Sequence, residues 1–363
     1  MSKAAELANL IGNINMGGGG VNRNVIINGA MNVKQRDAGG FTGVGGSSVY
    51  HLDRWIFYAL NTAGRFSSDQ VADAPTGFAN SLRLTCTTAD TSIASDEQLL
   101  FQQRIEGQNV QQFCKGTSDA KPFAVSFYVK GNASATYVCE LHDQDNGRQI
   151  SKAFSVTTDW TRIEITFPAD TTGAFDDDNA RSLNLNIALH GGSDVTSGTL
   201  SETWTSTTQA NRYVGISSFF DSTDRTFFIT GVQLEVGQNP TEFEHIPYGK
   251  ELLSCQRYYV RKLTGVGYGA LGVGGHIIGG TTANVLAPLP VEMRSQGTLS
   301  SGGSIRCTAP NADTVSVALA YGSTHLPQLT ATDSGGFTDS GGNGVAMMGN
   351  NDDDAYIAFD AEL

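Results

Sequence analysis

The chain has 363 residues, with 23 basic and 36 acidic side chains and a formal net charge of −13. That balance repels a phosphate backbone and no basic stripe interrupts it, so no nucleic-acid partner is expected. With 39% apolar and 16% charged residues but 43 glycines, the composition excludes a helical bundle and a disordered chain, and it fits an all-β protein rich in tight turns.

Residues 1–21 stand apart as an N-terminal segment. Positions 2–12 read as a short amphipathic helix, with Leu7, Leu10 and Ile11 on one side and Gly12 as its stop; Gly17 to Gly20 then form a flexible linker. A helix of about three turns does not hold itself together in water, so it is expected to dock onto a partner. The segment lacks the apolar core of a signal peptide and no run approaches a membrane span, so neither secretion nor membrane insertion is expected.

Residues 22–248 alternate like a sandwich. Strands are expected at 81–85, 123–129, 136–141, 162–167, 183–189 and 226–234. The strands at 162–167 and 183–189 alternate apolar and polar residues strictly, so each should bury one face only. Polar Gly/Asp/Asn turns between about eight to ten such runs imply two packed antiparallel sheets in a jelly-roll-like β-sandwich. Pro240 and Pro247 then precede a connecting element, 249–262, with a helix over 250–259.

Residues 263–363 read as a second, Gly-rich β domain, with strands at 314–319 and 355–359. Their only basic residues are Arg294 and Arg306, and large apolar residues are few. Such a domain makes a thin core by itself, so association is expected, most simply as a homotrimer that also covers open sheet edges.

Nothing in the sequence assembles a catalytic constellation. No Gly-x-Ser-x-Gly elbow joins a strand to a helix, and the six histidines lack metal-ligand spacing, so the chain is read as no enzyme. Cys86, Cys114, Cys139, Cys255 and Cys307 are odd in number, and no CxxC occurs among them. They read as free thiols of a chain folded in a reducing cytoplasm. The turn 142–147 begins like a calcium loop, but its glycine falls one position early and no Glu closes it, so Asn146-Gly147 reads as hairpin chemistry. The runs 176–179 and 352–354 read as solvated loops.

Sugar rings stack their C–H faces on aromatic rings, so exposed aromatics are the plausible binding devices. Trp55 and Trp160 have periodic apolar neighbours and read as core. Trp204, in a polar stretch outside any clear strand, and Tyr213 are the candidate ligand-contacting residues, although Trp204 is equally suited to covering the sandwich edge.

Several segments together carry a family resemblance: Asn24–Arg36, Asp53-Arg54-Trp55, Gln103–Gly107, Thr158–Arg162 and, most specifically, Ile229–Gly237 through Phe243–Tyr248 to Cys255–Tyr259. More loosely, Leu289–Arg294 and Phe359–Leu363 belong with them. The pattern resembles the tail-fibre and minor structural proteins of bacteriophages, especially those of marine bacteria and cyanobacteria. Read physically, Asp53 and Arg54 supply charge-assisted bonds that pin the opening strand, and Gln103-Arg104-Ile105 is a strand edge with a similar task.

The resemblance implies a virion component, assembled in the host cytoplasm and acting extracellularly. Its N-terminus would attach to other phage structural proteins. Its β domains would meet host surface polysaccharide by weak, multivalent, non-covalent binding. The alternatives are a purely architectural tail or capsid decoration and, less favoured, a depolymerase with paired carboxylates in a groove. The first domain is also similar to the carbohydrate-binding jelly rolls attached to many glycosidases. In that group two acidic residues near the opening Asn-Gly motif and the final strand ligate calcium; here Asn32 and Gly231 stand at the nearest positions, so no calcium and no other cofactor is expected.

Overall fold

The computed structural model describes residues 2–4, 7–8, 11, 22–36, 41–44, 48–308, 314–337 and 344–363. Of the expected N-terminal segment, Lys3, Ala4, Leu7, Ala8 and Ile11 are helical, with Leu7 and Ile11 exposed; the glycine run lies outside the described residues. The chain divides into two units, one of residues 1–248 with Leu363 and one of residues 249–362.

Among the described residues the first unit holds β1 Phe41–Val44, β2 Ser48–Leu52, β3 Trp55–Leu60, β4 Arg65–Val71, β5 Ser81–Thr88, β6 Gln98–Glu106, β7 Phe123–Gly131, β8 Ala135–Asp143, β9 Arg148–Val156, β10 Thr161–Phe167, β11 Arg181–Gly191, β12 Thr205–Ser206 and β13 Thr226–Val236. They form two antiparallel sheets, one of order β1-β4-β5-β13-β7-β10 and one of order β12-β9-β8-β11-β6-β3-β2. This is the all-β, jelly-roll-like sandwich that the alternating runs imply.

The core between the sheets is aromatic. Trp55 stacks on Phe101 at 4.4 Å, Phe57 meets Phe66 edge-on at 5.0 Å, and Phe127 meets Phe154 edge-on at 5.1 Å. At a centroid separation of about 4.5–7 Å such pairs add to the burial of area itself.

The segments that carry the resemblance build this frame. Asn28 accepts from Val33 N through Oδ1 and donates to Val33 O and Asp53 O, and the Trp55 indole donates to Asn28 O. The Asp53 carboxylate accepts from the backbone and side-chain amides of Gln35, at 2.7 and 2.6 Å. Gln103 exchanges two hydrogen bonds with the Ile27 backbone, so its side chain replaces a missing neighbour strand. Arg54 donates to Arg104 O. These polar residues are structural, as their place beside buried ones implies.

Two strand expectations split. On β10 Ile165 and Phe167 are buried while Glu164 and Thr166 are exposed, so that strand buries one face. On β11 every residue from Ser182 to His190 is buried. The reason is tertiary: the chain after β11 folds back over it, and Val195, Leu200, Tyr213 and Ile216 pack on Leu100, Val138 and Ala188 of the outer face in a small second core. β8 and β9 form the hairpin expected around Asn146-Gly147, with Asp143 opposite Arg148 and Gly147 at φ +57°. Among the described residues no disulfide links the five cysteines, four of which are buried and Cys114 partly so.

A helix spans Tyr248–Gln256, all but its first residue in the second unit, and β14 Tyr259–Leu263 follows it. The connecting element expected at 249–262 is therefore half helix and half strand. Val260 is buried in this unit's core, and β14 pairs along its length with the last strand, β22 Tyr356–Asp360, which draws 259–263 into a sheet. β22 also pairs with β17 Thr298–Gly302. The other sheet has the order β18-β21-β15-β16-β20-β19, formed by Ile305–Cys307, Gly344–Gly349, Ala270–Gly279, Thr282–Leu286, Gln328–Thr332 and Ser316–Tyr321. Its buried residues are mostly small or medium (Ala283, Val285, Ala331, Met347), as a Gly-rich β domain implies. No helix among the described residues is long and apolar enough to cross a membrane.

Candidate functional site

The structure places both sequence-predicted contact residues in packing roles. Tyr213 is fully buried, and its hydroxyl donates to Glu140 Oε2 at 3.0 Å. Its ring has no free face for a glycan, which corrects the expectation for that residue. The carboxylate it meets is the centre of a closed network: Arg212 donates to both Glu140 oxygens at 2.8 and 2.7 Å, and Asn186 donates at 2.6 Å. Burial by itself raises the Glu140 pKa, but the Arg212 guanidinium outweighs it and holds the carboxyl below its usual range. Tyr213 shifts well upward, by burial first.

Trp204 is partly buried against the main core. Its indole N–H donates to Pro168 O at 2.8 Å, and its ring packs on Phe123 at 5.6 Å. Of the two roles open to it, the structure supplies the partners for covering the sandwich edge.

Beneath Trp204 lies Lys115, whose ammonium is fully buried. It donates to Asp143 Oδ2 at 2.5 Å, Thr172 O at 2.8 Å and Gly173 O at 2.7 Å, and Asp170 Oδ2 lies 3.1 Å away. The rings of Phe175 and Trp204 lie 5.2 and 5.3 Å from it. The turn 142–147 thus directs its first carboxylate at the chain's own ammonium, which sits among oxygens as a metal ion would. At the two positions compared with calcium-binding jelly rolls there is no carboxylate: Gly231 has φ +62°, and a Cβ there would lie 2.6 Å from the Phe78 ring. Asn32 Oδ1 accepts from Asn80 at 2.9 Å.

Partly exposed aromatics of the first unit lie elsewhere, on the outer face of its six-stranded sheet. Phe228 on β13 pairs with Arg83 on β5 and Lys130 on β7, and Arg83 pairs with Asp69 on β4. One rung across four strands therefore reads Asp69, Arg83, Phe228, Lys130, and Trp160 stands at the entry to β10. The Lys130 ammonium lies 4.7 Å from the Phe228 ring and 5.3 Å from the Trp160 ring, and it pairs with Asp73 at 2.5 Å. The Trp160 indole donates to Asp73 Oδ1 at 3.2 Å. The Lys130 ammonium, helped by that indole, holds the Asp73 carboxyl below its usual range. Phe228 and Trp160 are both partly exposed and meet edge-on at 6.1 Å.

The next rung carries Thr230, Tyr128 and Arg162, and beside it Phe78, Phe243 and His245 form a second aromatic group at 5.0–5.3 Å. Trp160 is therefore a surface residue and not the core residue its apolar neighbours suggest. The signal was present: Ile163, Ile165 and Phe167 point inward, so a period of two puts position 160 on the outward side with 162 and 164. Phe228 was hidden within the apolar run Phe227-Phe228-Ile229.

No protein-family model matches the chain, and no curated protein matches it. Among solved structures it is similar to the family 11 carbohydrate-binding module of cellulosomal cellulase Lic26A-Cel5E of Clostridium thermocellum, at 12% identity and a TM-score of 0.29, over 58% of this chain and 100% of that one. It is also similar to a family 4 carbohydrate-binding module (13% identity, TM-score 0.29, 51% of this chain, 87% of that one). A third likeness is to the enzymatically active domain of tailspike protein 4 of bacteriophage CBA120 (12%, 0.32, 59% of this chain, 21% of that one). At these TM-scores the likeness decides neither ligand nor role.

Proposed function

We propose that the first unit holds glycans on the outer face of its six-stranded sheet, with Trp160 and Phe228 as the stacking surfaces and the Lys130–Asp73 pair beside them for hydroxyl groups. The observation that carries this reading is the partly exposed Trp160–Phe228 pair, on β13 and at the entry to β10, amid charged side chains. With the sequence resemblance to phage tail-fibre proteins, the chain is read as a non-enzymatic virion component that binds host surface polysaccharide, attached through its N-terminal segment to other phage structural proteins.

A glycan array and a host-cell binding assay on the intact chain test this. Trp160→Ala should weaken binding by about tenfold or more, which corresponds to about 1.4 kcal/mol, without loss of β structure. Binding that survives Trp160→Ala and Phe228→Ala unchanged refutes the face; no binding to any host glycan returns the architectural reading.

Homotrimerisation belongs to the same reading. It is favoured by exposed apolar side chains on the strands of the second unit, Val273, Ile278 and Tyr321 at 48%, 52% and 72% exposure. Light scattering tests it: a monomer at micromolar concentration sinks it.

A further inference from the structure

At one end of the first unit the turn between β5 and β6, the start of β6 and the end of β11 bring three ligating side chains together. Asp90, Glu97 and His190 are all buried, at 6%, 4% and 0% exposure, and one donor atom from each lies within 4.8 Å of the other two. His190 lies far from the other two in sequence, so no spacing rule could have found the group.

Among the described residues no lysine or arginine pairs with either carboxylate; Glu97 meets His190 at 3.0 Å, and Asp90 and Glu97 hydrogen-bond to each other. Two buried carboxylates side by side are costly unless a proton or a cation lies between them.

The surrounding bonds hold the donors in place. Asp90 Oδ2 accepts from Thr62 Oγ1 at 3.1 Å and from the Ala63 and Gly64 amides at 2.8 and 3.2 Å; Oδ1 accepts from Ser92 N at 3.3 Å. Glu97 Oε1 accepts from Ala94 N at 3.0 Å. His190 Nδ1 is 2.8 Å from Ser218 Oγ, which leaves Nε2 facing Glu97 Oε2 at 3.0 Å. Both ring nitrogens of His190 are thus hydrogen-bonded, and a metal would take Nε2 in place of its bond to Glu97, with Ser218 kept as the outer partner on Nδ1. Tetrahedral ligands about 2.1 Å from an ion lie about 3.4 Å apart, near the 3.0 Å between His190 Nε2 and Glu97 Oε2 and inside the 4.8 Å that spans the three donors.

We propose that Asp90, Glu97 and His190 form a structural site for one divalent ion of the Zn2+ type. An imidazole with two carboxylates selects a transition metal over Ca2+, which prefers an all-oxygen shell. The ion neutralises the two carboxylates and ties the β5–β6 turn to the end of β11. This is independent of glycan binding, since Trp160 and Phe228 take no part.

The test uses the intact chain, freed of metal with EDTA and titrated with ZnCl2, MnCl2 and CaCl2 by calorimetry, with melting followed in parallel. One Zn2+ per chain with a rise in Tm is expected, and CaCl2 should have no effect. Glu97→Gln and His190→Gln should weaken Zn2+ binding by more than about tenfold, while the exposed control His325→Gln leaves it unchanged. Because either variant can fold poorly, Co2+ loaded into the unaltered protein gives a second readout: visible absorption of an imidazole-bound ion, displaced by one equivalent of Zn2+. No Zn2+ uptake by the unaltered chain, or equal affinity in folded His190→Gln, overturns the site, and so does a Ca2+ response equal to that of Zn2+.

Discussion

Replacing Lys115 by Met keeps the length of the side chain and removes its charge. The loss is large because every partner of the ammonium is buried with it: the side chains of Lys115, Asp143 and Asp170 are 0%, 0% and 4% exposed. The two carboxylates fare differently. Asp170 keeps Arg148, which donates to its two oxygens at 2.7 and 3.0 Å. Among the described residues Asp143 keeps only the Asn146 backbone and side-chain amides, at 3.0–3.2 Å, and the carbonyls of Thr172 and Gly173 lose a donor.

Removing one partner from a buried pair costs about 3–5 kcal/mol. For a unit of this size that is a fall in Tm of roughly 6–20 °C, at about 2–4 °C per kcal/mol. The double variant Lys115→Met with Asp143→Asn should recover part of it, on the order of 1–2 kcal/mol, because no uncompensated charge remains. Urea unfolding of the three proteins, read by circular dichroism, measures each term. A single variant within about 1 kcal/mol of the parent, or a double variant no better than the single one, would falsify the view that this ammonium replaces a structural cation.

Tyr213→Phe should destabilise the first unit by about 1.5–3 kcal/mol, the worth of a hydrogen bond to a charged group, and leave glycan binding untouched; a binding defect without a stability loss would return Tyr213 to the ligand. The Asp73 carboxyl is held below its usual value of 3.8. Its bond to the Trp160 indole is therefore fully present above that pH and lost as the pH falls through the lower, folded value. The indole N–H signal of Trp160 in a nuclear magnetic resonance titration should have its midpoint below 3.8, and Lys130→Met should raise it; a midpoint at or above 3.8 in the parent protein contradicts the pairing.

How much of this was legible in the sequence follows from the range of each interaction. Strand character is local: alternation at 162–167 and the apolar runs at 123–129 and 226–234 declare strands whatever they pack against, and Asn146-Gly147 declares its hairpin. Local too is the polar frame at Asn28, Gln35 and Asp53, since its partners lie within one opening segment. Which face of a strand is covered is not local. β11 alternates strictly, yet a return of the chain some twenty residues on buries its second face, and that same return turned Tyr213 from a candidate contact into core. Trp160 and Phe228 became neighbours only because β10, β7 and β13 lie side by side in the sheet, an order set by pairing and not by sequence distance. The sequence by itself determined an all-β chain with a Gly-rich second half; tertiary structure decided which aromatics reach solvent, and it brought Asp90, Glu97 and His190 to one point, because strand order across a sheet is fixed by the packing of the whole core.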